Sequence, residues 1–264
     1  MTLFKRNPAT FYKEYTSYDP PDEPVDPPGG QPWHPTGYGL LYNFYAVEDA
    51  RNMAPTGWEV WDHHAVSHLV EILKDLEPIE EFPLVPKNKT GGKVKSIWTL
   101  DNEGFPGWTA PNGGASNNAS LFFLPNGTRA PDGIFYNAGF WAFIHINRTL
   151  SNGTPFHLRA NHYGSELTYH YKHLHYYPNR KNRGCAVRCY APKDVGESNG
   201  DTGTFTYEDY TYRYVVWGDY KYMMENLRVT KYRNGSNINY ITDNELWRTT
   251  QGGAWCMYNN RGSI

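Results

Sequence analysis

The stretch TYHYKHLHYYPNRKNRGCAVRC, residues 168–189, gathers three histidines, four tyrosines, five basic side chains and two cysteines into twenty-two positions. Those residue types support three chemistries: metal ligation, stacking and phosphate tracking on nucleic acid, or adaptable contact with a glycan or protein. A metal site could draw on Cys185, Cys189 and His170, His173 or His175, but no CxxC pair or second ligand cluster at matching spacing accompanies them. On a strand, residues four apart share a face about 13 Å apart, so Cys185 and Cys189 reach neither a disulfide nor a shared ion without a bend. Lys172, Arg180, Lys181, Arg183 and Arg188 among tyrosines make a local basic surface, yet the net charge of -2 provides no wider field to hold a polyanion. Paired-carboxylate hydrolysis needs two acids, and Glu166 stands alone between residues 157 and 190. No phosphate-cradling glycine loop or GxSxG elbow occurs. The expectation is no enzyme, no cofactor, no metal and no nucleic-acid partner.

What remains is a binding face. Tyr, His, Asn and Arg give contact area and hydrogen bonds at small cost in side-chain entropy. The candidate ligand-binding residues are Asn161, His162, Tyr163, Tyr169, His170, Tyr171, His173, His175, Tyr176, Tyr177, Asn179 and Arg180. The two-residue period of a strand turns one face of LTYHYKHLHYY outward.

Something must position this stretch. The 22 Tyr, 9 Trp, 25 Gly and 19 Pro predict a loop-rich and strand-rich fold with few long helices. One helix stands out: DHHAVSHLVEILKDLEP puts Val66, Leu69, Val70, Leu73 and Leu76 on one face, with Asp62 as cap and Pro78 as stop, giving a main helix over about 62–77. His64 and His68 have the i, i+4 spacing of a metal pair, but no Glu follows His64 in an HExxH pattern, so solvated histidines are expected. The runs SLFFL, GIFYNAGFWAFIHI and TYRYVVWGDYKYMM read as strands, whereas NKTGGK and APNGGASNN read as turns. Residues 18–36 carry seven prolines, so residues 1–36 are expected to form an extended anchor arm. Residues 191–204 are small, polar and Gly-rich, and read as a linker. There is no apolar run long enough for a membrane span, and the opening residues lack the apolar core of a secretory signal. Three cysteines, an odd number, predict reduced thiols.

From Gly37 the chain reads YGLLYNFYAV, MAPTGWEV, the helix, GGKVKS, GWTAPNGGASN, FFLPNGTR, DGIF, GFWAF and RGCAVRC. This ordered series resembles the Fibrobacter succinogenes major paralogous domain, a bacterial and phage module related to the C-type lectin fold and to formylglycine-generating enzymes. The resemblance implies an α+β, C-type-lectin-like fold of mostly short antiparallel strands and loops, with its main part at residues 37–190. It also implies that residues 205–264, which include WGDYKYMMENLRVTKYRNG, correspond to a part that ordinarily precedes YGLLYNFYAV. That segment would then complete the lectin-like domain as a circular permutation, or complete a neighbouring chain's domain by a swap.

In lectin-fold relatives diversified by retroelements, the variable region lies just before the last strand. Residues 161–180 occupy that place, with GCAVRC as the closing core strand. The functional expectation is a phage virion protein, of head or tail fibre. Its arm would dock on other virion proteins through residues 1–36, while its lectin-like aromatic surface meets a host cell-surface glycan or protein. A homo-oligomer, a trimer by analogy with virion fibres, and a place on the virion surface accompany that reading. The alternatives are a bacterial cell-surface or fimbrial adhesin, and a lectin-fold enzyme related to formylglycine-generating enzymes.

Overall fold

The computed structural model describes residues 38–74, 90–99, 107–109, 112–149, 153, 155–161, 167–170 and 180–260. The fold is α+β: short strands, mostly antiparallel, in three small sheets with few helices. This make-up is that of the lectin-like α+β fold that the sequence implies.

The first sheet is β1 (Leu41–Tyr42), β13 (Ala254–Cys256) and β12 (Asn239–Tyr240) in that order. Its β1 and β13 are the first and last strands of the described chain, paired antiparallel with Leu41 opposite Cys256 and Tyr42 opposite Trp255. The second sheet runs β2 (Glu59–Val60), β8 (Cys189–Pro192), β11 (Tyr220–Met223), β10 (Tyr210–Trp217) and β9 (Thr202–Tyr207). TYRYVVWGDYKYMM supplies its β10–β11 hairpin, whose two-residue turn places Gly218 at φ +64°, the left-handed backbone that a glycine adopts without strain. The third sheet is β4 (Phe135–Ala138), β3 (Asn126–Arg129), β5 (Trp141–Thr149), β6 (Pro155–Asn161) and β7 (Leu167–His170).

One short stretch touches all three sheets. Gly184, Cys185 and Ala186 bridge Arg129 of β3, Tyr42 of β1 and Ile144 of β5, and the chain then continues into β8. Cys185, Ala186, Val187, Arg188 and Cys189 are all buried. A side chain at any of these positions meets protein on every side, which suits small and apolar residues. Arg188 departs from that pattern, because its guanidinium serves interior carbonyls.

The dominant helix, α2, spans His63–Lys74 and follows the short α1 (Phe44–Val47). Ala65 N–H donates to the Asp62 carboxylate at 2.7 Å, which caps the helix start. Val66, Leu69 and Leu73 are fully buried against Trp61, Ile144, Val215 and Trp217, while Leu76 and Pro78 lie outside the described residues. His63 and His64 are exposed, and His68 Nδ1 sits 3.2 Å from the Tyr222 hydroxyl.

Two expectations change. NKTGGK, read as a turn, contributes the buried helix α3 (Thr90–Val94), and the Gly92 carbonyl accepts from Ser116 N–H at 2.9 Å, which ties the helix to the loop that follows Asn112. SLFFL, read as a strand, keeps a single bridge at Phe123, since Ser120 and Phe122 hold φ values of +54° and +47° that break strand geometry.

Residues 202–260 lie in the same body as residues 38–192. Their β9, β10 and β11 extend the second sheet from β8, and β12 and β13 build the first sheet on β1. Residues 193–201 form a hydrogen-bonded crossover: Gly200 N–H reaches Val216 O at 2.9 Å, and Gly218 N–H reaches Asn199 Oδ1 at 2.7 Å. The last helix, α4 (Asn244–Thr249), is capped by Asp243 and buries Trp247.

Many aromatic residues are structural. Trp61, Trp108, Trp217 and Trp255 each donate their indole N–H to a backbone carbonyl, and Tyr42 donates its hydroxyl to Val229 O at 2.8 Å. A loop-rich body leaves carbonyls without ladder partners, and buried indoles and phenols satisfy them while filling core volume.

Candidate ligand-binding site

The described parts of the expected binding stretch are the end of β6, the strand β7 and a one-turn 3-10 helix, Arg180–Asn182. Asn161 is the last residue of β6, paired with Trp141. Tyr169 and His170 lie on β7, the outer strand of the third sheet, in register with Leu158 and His157. Arg180 opens the 3-10 turn. His162, Tyr163, Tyr171, His173, His175, Tyr176, Tyr177 and Asn179 lie outside the described residues.

Both attachment points are firmly built. On the N-terminal side, β5 and β6 pair along most of their length, and Arg159 stacks over Trp141 at 4.2 Å. On the C-terminal side, the 3-10 turn is held by three independent contacts. Lys181 Nζ pairs with the Glu48 carboxylate at 2.6 and 2.8 Å. Asn182 Nδ2 donates to Trp247 O at 2.5 Å and Thr250 O at 2.9 Å, taking up carbonyls at the C-terminal end of α4. His145 Nε2 lies 2.9 Å from Tyr42 O and 3.2 Å from Arg183 O, so one buried imidazole joins β1 to the end of the stretch. Burial pushes the His145 pKa down to about 4, because a charged ring there loses its hydration, although the two carbonyls oppose the shift.

The basic surface expected here is smaller than the sequence suggests. Arg188 is fully buried: Nε donates to Asn226 Oδ1 at 2.8 Å, Nη1 to Leu121 O at 2.5 Å, and Nη2 to Phe122 O at 3.3 Å. Its guanidinium stacks over Phe123 at 4.5 Å, and burial brings its pKa down to about 9. Lys181 is committed to Glu48. A second interior cation has no signal in the sequence. Arg129 is fully buried on β3, donating to Gly133 O at 2.9 Å, Ile241 O at 2.5 Å, Thr242 O at 2.8 Å and Asn244 Oδ1 at 2.9 Å. It also stacks over Trp247 at 4.4 Å. A planar fork with five donors suits such a set of carbonyls, and lysine would satisfy fewer of them.

The cysteines are free thiols, all buried. Desolvation raises the Cys185 and Cys256 pKa values to about 12 and that of Cys189 above the ordinary range. Such thiols stay protonated at neutral pH and are poor nucleophiles. Among the described residues no cluster of three metal-ligating side chains occurs, and no helix is long and apolar enough to cross a membrane.

The described body, short and mostly antiparallel strands with few helices, has the α+β make-up that the resemblance implied. The chain belongs to the Fibrobacter succinogenes major domain family, whose model matches residues 12–190, more than half of the 264 residues. The match begins inside the segment expected to be an arm and ends at Tyr190 in β8, so β9–β13 lie beyond it. No curated protein and no solved structure matches the chain.

Proposed function

We propose that this protein is a virion-associated ligand-binding protein of a phage, in which the lectin-like body presents residues 161–180 to a glycan or protein on the host cell surface. The observation that carries the reading is the mounting of that stretch. Its composition is that of a contact surface, and its two ends are fixed by β6 and by the Lys181, Asn182 and Arg183 contacts. Binding loops on rigid supports lose less entropy when they engage a ligand. Residues 1–36 would attach the body to other virion proteins, and a homo-oligomer would multiply weak contacts into avidity. The three thiols are protonated and buried, which favours binding over cysteine chemistry.

The test is replacement of Tyr169, Tyr171, His173 and Tyr176 together by Ala, with adsorption to whole host cells as the readout. Adsorption is lost while near-UV circular dichroism keeps its native shape. Unchanged adsorption by a folded quadruple variant refutes the assignment of the binding face.

A further inference from the structure

The second sheet ends in an open strand. β9 (Thr202–Tyr207) pairs with β10 on one side, and among the described residues no strand pairs with the other. It is six residues long, against two to four for the other outermost strands, β1, β2, β4, β7 and β12. Val216 N–H donates to Asp201 O and Val216 O accepts from Gly200 N–H, both at 2.9 Å, so Val216 and every second residue before it turn their amide groups toward β9. By the register, Tyr214, Tyr212 and Tyr210 exchange bonds with Gly203, Phe205 and Tyr207, which directs the N–H and C=O groups of Thr202, Thr204 and Thr206 away from the sheet. Those three threonines are exposed. Such edges are ordinarily blunted by charge, proline, a bulge or a cover. β9 reads TGTFTY, with no charge and no proline, and its register with β10 is unbroken.

We infer that β9 is a homodimer interface, at which two copies of this chain pair antiparallel across a two-fold axis and continue the sheet from one body into the next. An axis at Thr204 sets Thr204 against itself, Thr202 against Thr206, and Gly203 against Phe205 of the second copy. The threonines share one face, where opposed hydroxyls are favourable; Thr206 Oγ1 and Thr211 Oγ1 already lie 3.1 Å apart within the hairpin. On the other face Phe205 is held by stacking on Trp58 at 4.3 Å, and Gly203 puts no side chain of its own in the way of the second copy's Phe205. The Tyr214 ring lies where a side chain at Gly203 would sit. Charge selects the register. With the axis at Thr204, Asp201 meets Tyr207 and Glu208 meets Gly200, whereas an axis at Phe205 would set Asp201 against Asp209. Asp201 and Glu208 remain diagonal neighbours across the pair, a repulsion that salt screens. This self-matching order is what a second copy requires and an unlike strand does not. The pairing joins bodies in twos and is independent of what residues 161–180 bind.

Sedimentation velocity of the full chain over about 1–100 µM tests this. The native protein shifts from monomer to dimer as its concentration rises. Thr204→Pro removes the central outward donor at an edge position where a proline is tolerated, so this variant stays monomeric with an unchanged near-UV circular dichroism spectrum. In Thr204→Cys the two-fold axis brings the two copies of residue 204 to about 5.5 Å, Cα to Cα, and mild oxidation gives a covalent dimer on a non-reducing gel. The native thiols are buried and stay out of the reaction. Thr211→Cys, one strand further in, gives no such dimer. The cysteine variants keep the test decisive if Thr204→Pro misfolds. A native chain that is monomeric throughout overturns the inference. So does an oligomer that folded Thr204→Pro leaves intact, or one in which Thr204→Cys cross-links no better than Thr211→Cys.

Discussion

Removing the Arg129 side chain should loosen the C-terminal part of the body from the rest. In the native protein its guanidinium donates to three carbonyls and one side-chain amide, three of these acceptors lying between Ile241 and Asn244. Arg129→Ala leaves those acceptors without their donor at a site with no solvent exposure. A hydrogen bond from a charged donor is worth about 1.5–3 kcal/mol, and each orphaned buried acceptor costs about 1–3 kcal/mol. Water entering the space and local relaxation recover part of this, so the net loss is about 4 kcal/mol, similar to breaking a buried ion pair. Total stability for a domain is about 5–15 kcal/mol. With a urea m-value of about 3 kcal/mol/M, the midpoint falls by roughly 1.3 M. Arg129→Lys keeps the charge but not the fork and should recover less than half of the loss. The assay is urea unfolding monitored by tryptophan fluorescence, with limited proteolysis to show that cleavage begins after Trp217. A change below about 1 kcal/mol for Arg129→Ala would refute the idea that this cation holds the C-terminal part in place.

Acid should destabilise the fold before its carboxylates are protonated. The folded His145 pKa lies near 4 against an ordinary 6.5, so its neutral form favours folding above pH 6.5, and that contribution of about 3 kcal/mol is lost as pH falls toward 4. A flat stability profile between pH 6.5 and 4 contradicts this. Gly253→Ala should destabilise by about 2 kcal/mol or more, because a methyl group there would run into the Tyr232 hydroxyl and meet Ala46 Cα at 3.0 Å; thermal melting checks it. A chain opened at Gly196, with Asn260 joined to Tyr38 by a short Gly/Ser linker, should fold to the same core. The Tyr38 and Tyr258 rings are already 6.4 Å apart, and native-like near-UV circular dichroism in a monodisperse product is the expected result. Aggregation of that product would show that the present chain order is required.

Parts of the fold are legible in the amino-acid order, and the rest is hidden for physical reasons. The periodicity of Val66, Leu69 and Leu73 announces α2 because a half-buried helix must segregate its apolar side chains. The β10–β11 hairpin is equally plain, since Gly218 is the residue that its tight turn needs. Arg129 and Arg188 are invisible as interior groups, because composition reports a cation and not the carbonyls that surround it. For the same reason Arg188 counts, on sequence alone, toward a basic surface that its burial removes. Aromatic richness reads as a loop-rich, strand-rich fold, but it does not tell which rings donate to loop carbonyls in the interior, as several Trp and Tyr residues do. For the candidate site, composition locates a stretch whose attachment points the fold explains, while most of its interior lies outside the described residues.

The pairing of β1 with β13 also bears on synthesis. Asn43 accepts from Ala254 N–H across 211 residues, and Tyr42 reaches Val229 across 187. A ribosome adding about 5–20 residues per second would expose Leu41 and Tyr42 for ten seconds or more before their partner strand emerges. The nascent chain must keep a sticky, aromatic half-structure soluble through that delay. Premature termination anywhere before Cys256 would therefore yield a product with an unpaired strand edge, suited to capture by chaperones and proteases rather than to assembly.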